Sequence, residues 1–445
     1  MRFAMPRREF AVLFAVLLTV AAGNTALQTV LPAIARVIHI PDMLVAIIFS
    51  FSALLWTFSA PYWARQSDIR GRRRLMEVGI IGFGVSMLGC GIVIFAGLKG
   101  LLVPVATFAL FASLRSLFGI FGSASNPAAQ AYVAARTSEG ERTNALSSLS
   151  SAFGLGTIIG PAVAPLFIIG AVGLAGPLFA FATIAVLVLL AVRRWLPDDD
   201  PTHFPGVIGA AADATAVPGR AHGAPASEPT VSGGATGASL QAASAGRAPR
   251  LSWRDPRILP FMIFGFCSGS IQAATGQALG FLVIDTLGGS ALDSQQEIAI
   301  IFMGGACATL LVQWGLIPLF RMTPPLLMRW GTFIAALGTI GIALAPDFHA
   351  LVVAYALASM GYGFARPGFT AGASLAVGRA EQGGVAGAVT SINGSCFVFA
   401  PAVGIGLYQL GAMLPYLLGG AALVLLFVYA SRSRPLNAEP HPHDE

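Results

Sequence analysis

Twelve apolar windows, none shorter than 19 residues, constrain this chain more than any other feature. They fall at 10–35, 43–63, 75–97, 103–133, 144–169 and 172–192, and then, after a gap, at 258–284, 297–319, 326–345, 350–377, 384–409 and 413–431. A span of about 20 apolar residues is the length of helix needed to cross a bilayer. Lipid offers no hydrogen-bond partners, so each window must satisfy its own backbone as an α-helix. The expected fold is therefore an all-α membrane protein of 12 transmembrane helices in two six-helix bundles. Composition agrees, since 56% of the 445 residues are hydrophobic and only 10% carry charge, against about 25% charged in soluble domains. The arginines of Met1–Glu9 precede an apolar run too long for a signal peptide, and the run reads as the first span.

The position of charge sets the orientation. With an even number of spans both termini share a face, and 22 of the 26 basic residues fall on that face; Arg115 and Arg366 lie in spans, and Arg36 and Lys99 on the other side. The positive-inside rule then makes both termini cytoplasmic. The expected domains are residues 1–196 (first bundle), 197–250 (linker), 251–435 (second bundle) and 436–445 (tail). The linker is built from Ala, Gly, Pro, Ser and Thr, a composition that cannot bury enough surface to fold, so it reads as a flexible cytoplasmic tether.

The two halves repeat each other. Subtracting 240 places Pro367 on Pro127, Glu381 on Glu141 and Pro401 on Pro161; subtracting 252 places Leu327, Met328 and Gly331 on Leu75, Met76 and Gly79. One duplicated six-helix unit carries both registers, with twelve extra residues in the first half between the third and fourth spans. Parallel repeats about an axis along the membrane normal are a transporter architecture.

Several chemistries are excluded. The six histidines all lie outside the apolar windows, and Cys90, Cys267, Cys307 and Cys396 show no metal or redox spacing, so neither a metal nor a cofactor is expected. A membrane-embedded enzyme needs a His, Asp or Glu constellation at depth, which the spans lack. No phosphate-binding loop accompanies them, and the basic charge sits at helix ends as an anchor, so no nucleic-acid partner is expected. The implied partners are the bilayer and a small-molecule substrate.

Three motifs narrow the class. Between the second and third spans stands Trp63-Ala64-Arg65-Gln66-Ser67-Asp68-Ile69-Arg70-Gly71-Arg72-Arg73-Arg74, whose Asp68, Gly71, Arg72 and Arg73 match the signature loop Gly-x-Leu-Ala-Asp-Arg-x-Gly-Arg-Arg. In span four, Arg115-Ser116-Leu117-Phe118-Gly119 with Gly122 matches Arg-x-x-x-Gly-x-x-Gly. In span five, Gly156, Gly160 and Pro161 match Gly-x-x-x-Gly-Pro-x-x-Gly, with Ala164 in place of the last glycine. On these residues the chain resembles the major facilitator superfamily, and most nearly its twelve-span drug:proton antiporters. The resemblance covers the whole transmembrane part. It implies a gating role for Asp68, Gly71, Arg72 and Arg73, part in proton transfer or helix bracing for Arg115, and an antiporter-type helix, associated with export, around Gly156, Gly160 and Pro161. It also implies a bacterial inner membrane and, with short loops and equal halves, a monomer.

Polar groups in spans are costly and so mark the candidate substrate cavity: Asn24 and Gln28, Arg115, Asn126, Gln272 and Gln277, Arg366, and Asn393. The amides either bind cargo or bond one another across helices. Arg366 is the repeat mate of Asn126, and eleven steps of α-helix put Asn126 on the face of Arg115. No acid falls at mid-depth. Proton coupling rests on the resemblance alone, with Asp68, Glu77 and Asp285, all near span ends, as its candidates. The leading expectation is export of small amphipathic molecules by alternating access in exchange for protons. The alternatives are a facilitator or symporter of the same fold for an anionic metabolite anchored by Arg115 and Arg366, and a non-transporting membrane sensor.

Overall fold

The computed structural model describes residues 5–136, 149, 152, 154–198, 255–287, 294–320, 322–377 and 382–437. Most of the expected linker, the repeat pair Glu141 and Glu381, and the tail beyond Asn437 lie outside the described residues. Regular structure within them is helical throughout. In chain order the helices are α1 (Arg7–Ile38), α2 (Asp42–Arg70), α3 (Arg72–Leu98), α4 (Pro104–Phe121), α5 (Ser125–Arg136), α6 (Gly154–Phe167) and α7 (Gly176–Trp195). They continue as α8 (Leu259–Leu287), α9 (Ser294–Leu310), α10 (Pro324–Leu344), α11 (Phe348–Leu375), α12 (Gln382–Leu410) and α13 (Leu414–Arg432). Ten helical segments among the described residues are long and apolar enough to cross a membrane. Two of the expected windows are not among the ten. The first contains α6, whose described part is short, and the second is α8, 29 residues long but lowered in hydropathy by Ser268, Ser270, Gln272, Thr275 and Gln277.

Helix ends follow local rules. Prolines occupy the first turns of α4, α7, α10 and α13, where their missing N–H would have no partner in any case. The Asp347 side chain caps α11 by accepting from the Ala350 N–H at 2.8 Å, and Asn437 folds back to donate to the Ala430, Ser431 and Ser433 carbonyls at the end of α13. Span four differs from the uninterrupted window read in the sequence. It breaks at a 3₁₀ turn, Gly122–Ala124, between α4 and α5, whereas its repeat mate α11 runs unbroken over 28 residues. A 3₁₀ turn advances about 120° per residue in place of about 100°. Ideal geometry over three such residues amounts to about 60° relative to an uninterrupted helix, and Asn126, beyond the turn, accepts from Gln130 Nε2 at 2.8 Å.

The chain forms two compact units, one of residues Met1–Gly246 with Leu279–Met303, the other of Arg247–Ala278 with Gly304–Glu445. The C-terminal end of α8 and the first turns of α9 thus pack with the first unit. Each unit carries the repeat in its packing. In the first, a Cβ added at Gly79 of α3 would stand 2.6 Å from the Ser125 nitrogen; in the second, a Cβ at Gly331 of α10 would stand 2.5 Å from the Ala365 nitrogen. Gly331 is Gly79 shifted by 252 and Ala365 is Ser125 shifted by 240, so both sequence registers meet at one glycine contact. Small residues there let the backbones approach more closely than side chains would allow.

Candidate functional site

In the first unit the polar face of α1 meets α4. Arg115 and Asn24 are each 2% exposed, and the Arg115 Nη2 donates to Asn24 Oδ1. The guanidinium lies over the Phe118 ring at 4.2 Å and near Phe49 at 5.8 Å, while Trp56 packs against Phe118 with ring centroids 5.2 Å apart. Among the described residues no carboxylate pairs with Arg115, and its Nε and Nη1, together with Asn24 Nδ2, have no hydrogen-bond partner. Removing an ion from water costs several kcal/mol even after relaxation. A desolvated cation–π contact returns about 2 kcal/mol and a hydrogen bond to a charged group about 1.5–3 kcal/mol, while two of the guanidinium nitrogens stay unmatched. Gln28, one turn along α1, is partly buried.

The α1–α6 contact is built on the third motif. A Cβ added at Gly156 would lie 2.7 Å from Ala21 Cβ and from the Leu18 carbonyl oxygen, and Gly160 sits against Ala22 and Thr25. The Thr25 hydroxyl donates along its own helix to Ala21 O at 3.0 Å and reaches the Gly156 carbonyl at 3.5 Å. Pro161 is buried in α6 just before the helix tightens into a 3₁₀ turn at Ala164–Phe167. The second unit has a counterpart in α12, where a Cβ at Gly404, the mate of Ala164, would stand 2.7 Å from Ala274 Cα of α8.

At the signature loop, Gly71 ends α2 and begins α3 with φ 89° and ψ 138°, a conformation open to glycine. The side chain of Asp68 is outside the described residues. Arg72 is partly buried. Arg73 donates to Glu77 Oε1 at 3.2 Å and to the Arg193 carbonyl at 3.0 Å, and pairs with Asp198 at 3.2 Å; Arg193 reaches Glu77 Oε2 at 3.3 Å. Glu77 is therefore held between α3 and the end of α7. Asp285 lies at the opposite end of the first unit, where Arg36 pairs with it at 2.8 Å and with Asp42 at 3.1 Å.

In the second unit a narrow crevice opens between α8, α11 and α12, with room for about one water molecule. It brings together Gln272, Arg366 and Asn393, three residues singled out in the sequence, with Ser268, Tyr362 and Cys396 beside them. Gln277 lies further along α8 and does not line it. Sequence reasoning passed over Ser268 and Tyr362, yet each stands four residues before a marked one, Gln272 and Arg366, and so on the same helical face. The Cys396 thiol donates to the Ile392 carbonyl at 3.1 Å. No acidic side chain lines the crevice.

An internal repeat, a glycine-broken cationic loop and a buried arginine on α4 are accompanied by a match of residues 13–401 to the Major Facilitator Superfamily. The chain belongs to the major facilitator superfamily. It is accordingly a multi-span membrane transporter and not an enzyme. Multidrug resistance protein 2 of Bacillus subtilis (strain 168) is 27% identical over 178 residues, 40% of this chain and 41% of that protein; the chain thus matches about two fifths of this relative's length. Among solved structures, the human organic anion transporter MFSD10 (TETRAN) superposes with a TM-score of 0.61 at 18% identity, covering 96% of this chain and 100% of that one. A D-xylose-proton symporter gives 0.66 at 13% identity over 96% and 95% of the two chains. A POT family transporter in complex with 5-aminolevulinic acid gives 0.67 at 14% identity over 97% of each. At these identities the likeness is one of fold.

Proposed function

We propose that this superfamily member is a twelve-span, monomeric exporter of small organic molecules, with both termini cytoplasmic, working by alternating access in exchange for protons across a bacterial inner membrane. The observation that carries the export reading is the α1–α6 contact. The segment resembling the export-associated antiporter motif supplies, through Gly156 and Gly160, the close approach of the two helices, and a multidrug-named relative leans the same way. Asp68, Glu77 and Asp285 remain the acids proposed for coupling. Glu77 and Asp285 each already share an arginine, a position in which gain of a proton would weaken an ion pair.

The test uses purified protein in liposomes with an internal pH-sensitive dye, an imposed pH gradient and a panel of cationic, neutral and anionic compounds. Proton flux evoked by cationic or neutral amphiphiles, reduced in Glu77→Gln or Asp285→Asn, is the expected result. A second reading, a facilitator for an anionic metabolite, is favoured by the crevice that carries Arg366 and amides without an acid. Movement of anions alone, without proton flux and dependent on Arg366, would replace the first reading with the second.

A further inference from the structure

We propose that Arg115 and Asn24 form a binding site in the first unit for a small monovalent anion, a ligand distinct in kind from the proton. Arg115 is a full cation at 2% exposure, and among the described residues no carboxylate stands within ion-pair distance of it. Its Nε and Nη1 are buried without partners, and so is Asn24 Nδ2, which belongs to a different helix. The amide oxygen of Asn24 is already taken by Arg115 Nη2, so what this amide still offers is a donor. The indole N–H of Trp56, in the same aromatic cluster, is likewise buried without an acceptor.

The neighbourhood is thus rich in donors and poor in acceptors, with a net positive charge inside a low-dielectric region. Water would satisfy individual N–H groups but leave the charge, and a cation or a second donor would worsen the imbalance. A monovalent anion satisfies both the charge and the lone N–H groups. A halide and the carboxylate of an organic molecule share this chemistry, and the experiment separates them.

The experiment measures the thermal unfolding midpoint of the purified protein in detergent at constant ionic strength, as sodium 2-morpholinoethanesulfonate, a bulky sulfonate without a carboxylate, is replaced by sodium chloride or by sodium acetate. A saturable rise in Tm with chloride, with acetate or with both supports the site, and the pattern identifies an inorganic or a carboxylate source. In Arg115→Gln half-saturation should weaken about tenfold or more, equivalent to about 1.4 kcal/mol of binding, while Lys99→Gln, at an exposed helix end, should leave it unchanged. Asn24→Asp provides the control for misfolding: it places a carboxylate beside Arg115, and a protein of ordinary Tm that no longer responds to anions is expected. No anion-specific rise in the unaltered protein, or a rise that survives unchanged in both Arg115→Gln and Asn24→Asp, overturns the proposal. Because Tm is read without cargo or gradient, failure here leaves the export reading standing, and failure of drug-driven flux leaves this site standing.

Discussion

Gly71 and Glu77 show how single residues hold the signature loop, and they respond to substitution differently. At φ 89°, any side chain at position 71 is strained, so Gly71→Ala should cost about 1–3 kcal/mol, visible as a lowered Tm that does not recover in high salt. Glu77 is bound by Arg73 and Arg193 at a partly buried helix end. Its replacement by Gln should cost about 1 kcal/mol or less, and the difference from the parent protein should shrink as salt screens the pairs. A salt-insensitive loss in Glu77→Gln would mean that the residue holds the fold through something other than these charges. The glycine was legible in the sequence from its place in the loop; the Arg193 and Asp198 partners of Glu77 and Arg73 were not, because they lie about 120 residues away and only the packing of α3 against α7 joins them.

Between α1 and α6 the fit is made by absent side chains. A Val at Gly156 would drive methyl groups into Ala21 and the Leu18 backbone, an overpacking that should cost about 1–3 kcal/mol. Gly170, with nothing within 4 Å of an added Cβ, is the control: Gly170→Ala should leave the midpoint nearly unchanged. Equal losses at both positions would show that the cost lies in backbone freedom and not in the contact. The positions and limits of most helices could be read directly from the apolar windows, since lipid leaves a long apolar run little choice but a helix. The break at Gly122–Ala124 could not, because nothing in composition distinguishes a 3₁₀ turn from α-helix over three residues. That turn lies between Arg115 and Asn126, where the angular argument took unbroken helix, and the contact of Arg115 with Asn24 became visible only in the fold.

On the scale of the whole molecule, the proposed cytoplasmic placement of both termini is a topology that can be measured. Green fluorescent protein fused after Glu445 should fluoresce and alkaline phosphatase at the same point should be silent; the reverse would place the termini outside and invert the proposed direction of transport. The duplication of the chain was visible as two sequence offsets, and the contacts Gly79–Ser125 and Gly331–Ala365 give those offsets a physical cause. The compact units, however, do not follow the duplication, since Leu279–Met303 packs with the first, where Arg36 holds Asp285 and lies over the Phe281 ring. Biosynthesis meets this arrangement in a fixed order. At about 5–20 residues per second, the ribosome needs roughly 3–11 s beyond Gly246 to deliver Met303. For that interval the earlier-made bundle waits in the bilayer with Arg36 short of one of its two carboxylates, and its assembly ends only once the second half is well into translation.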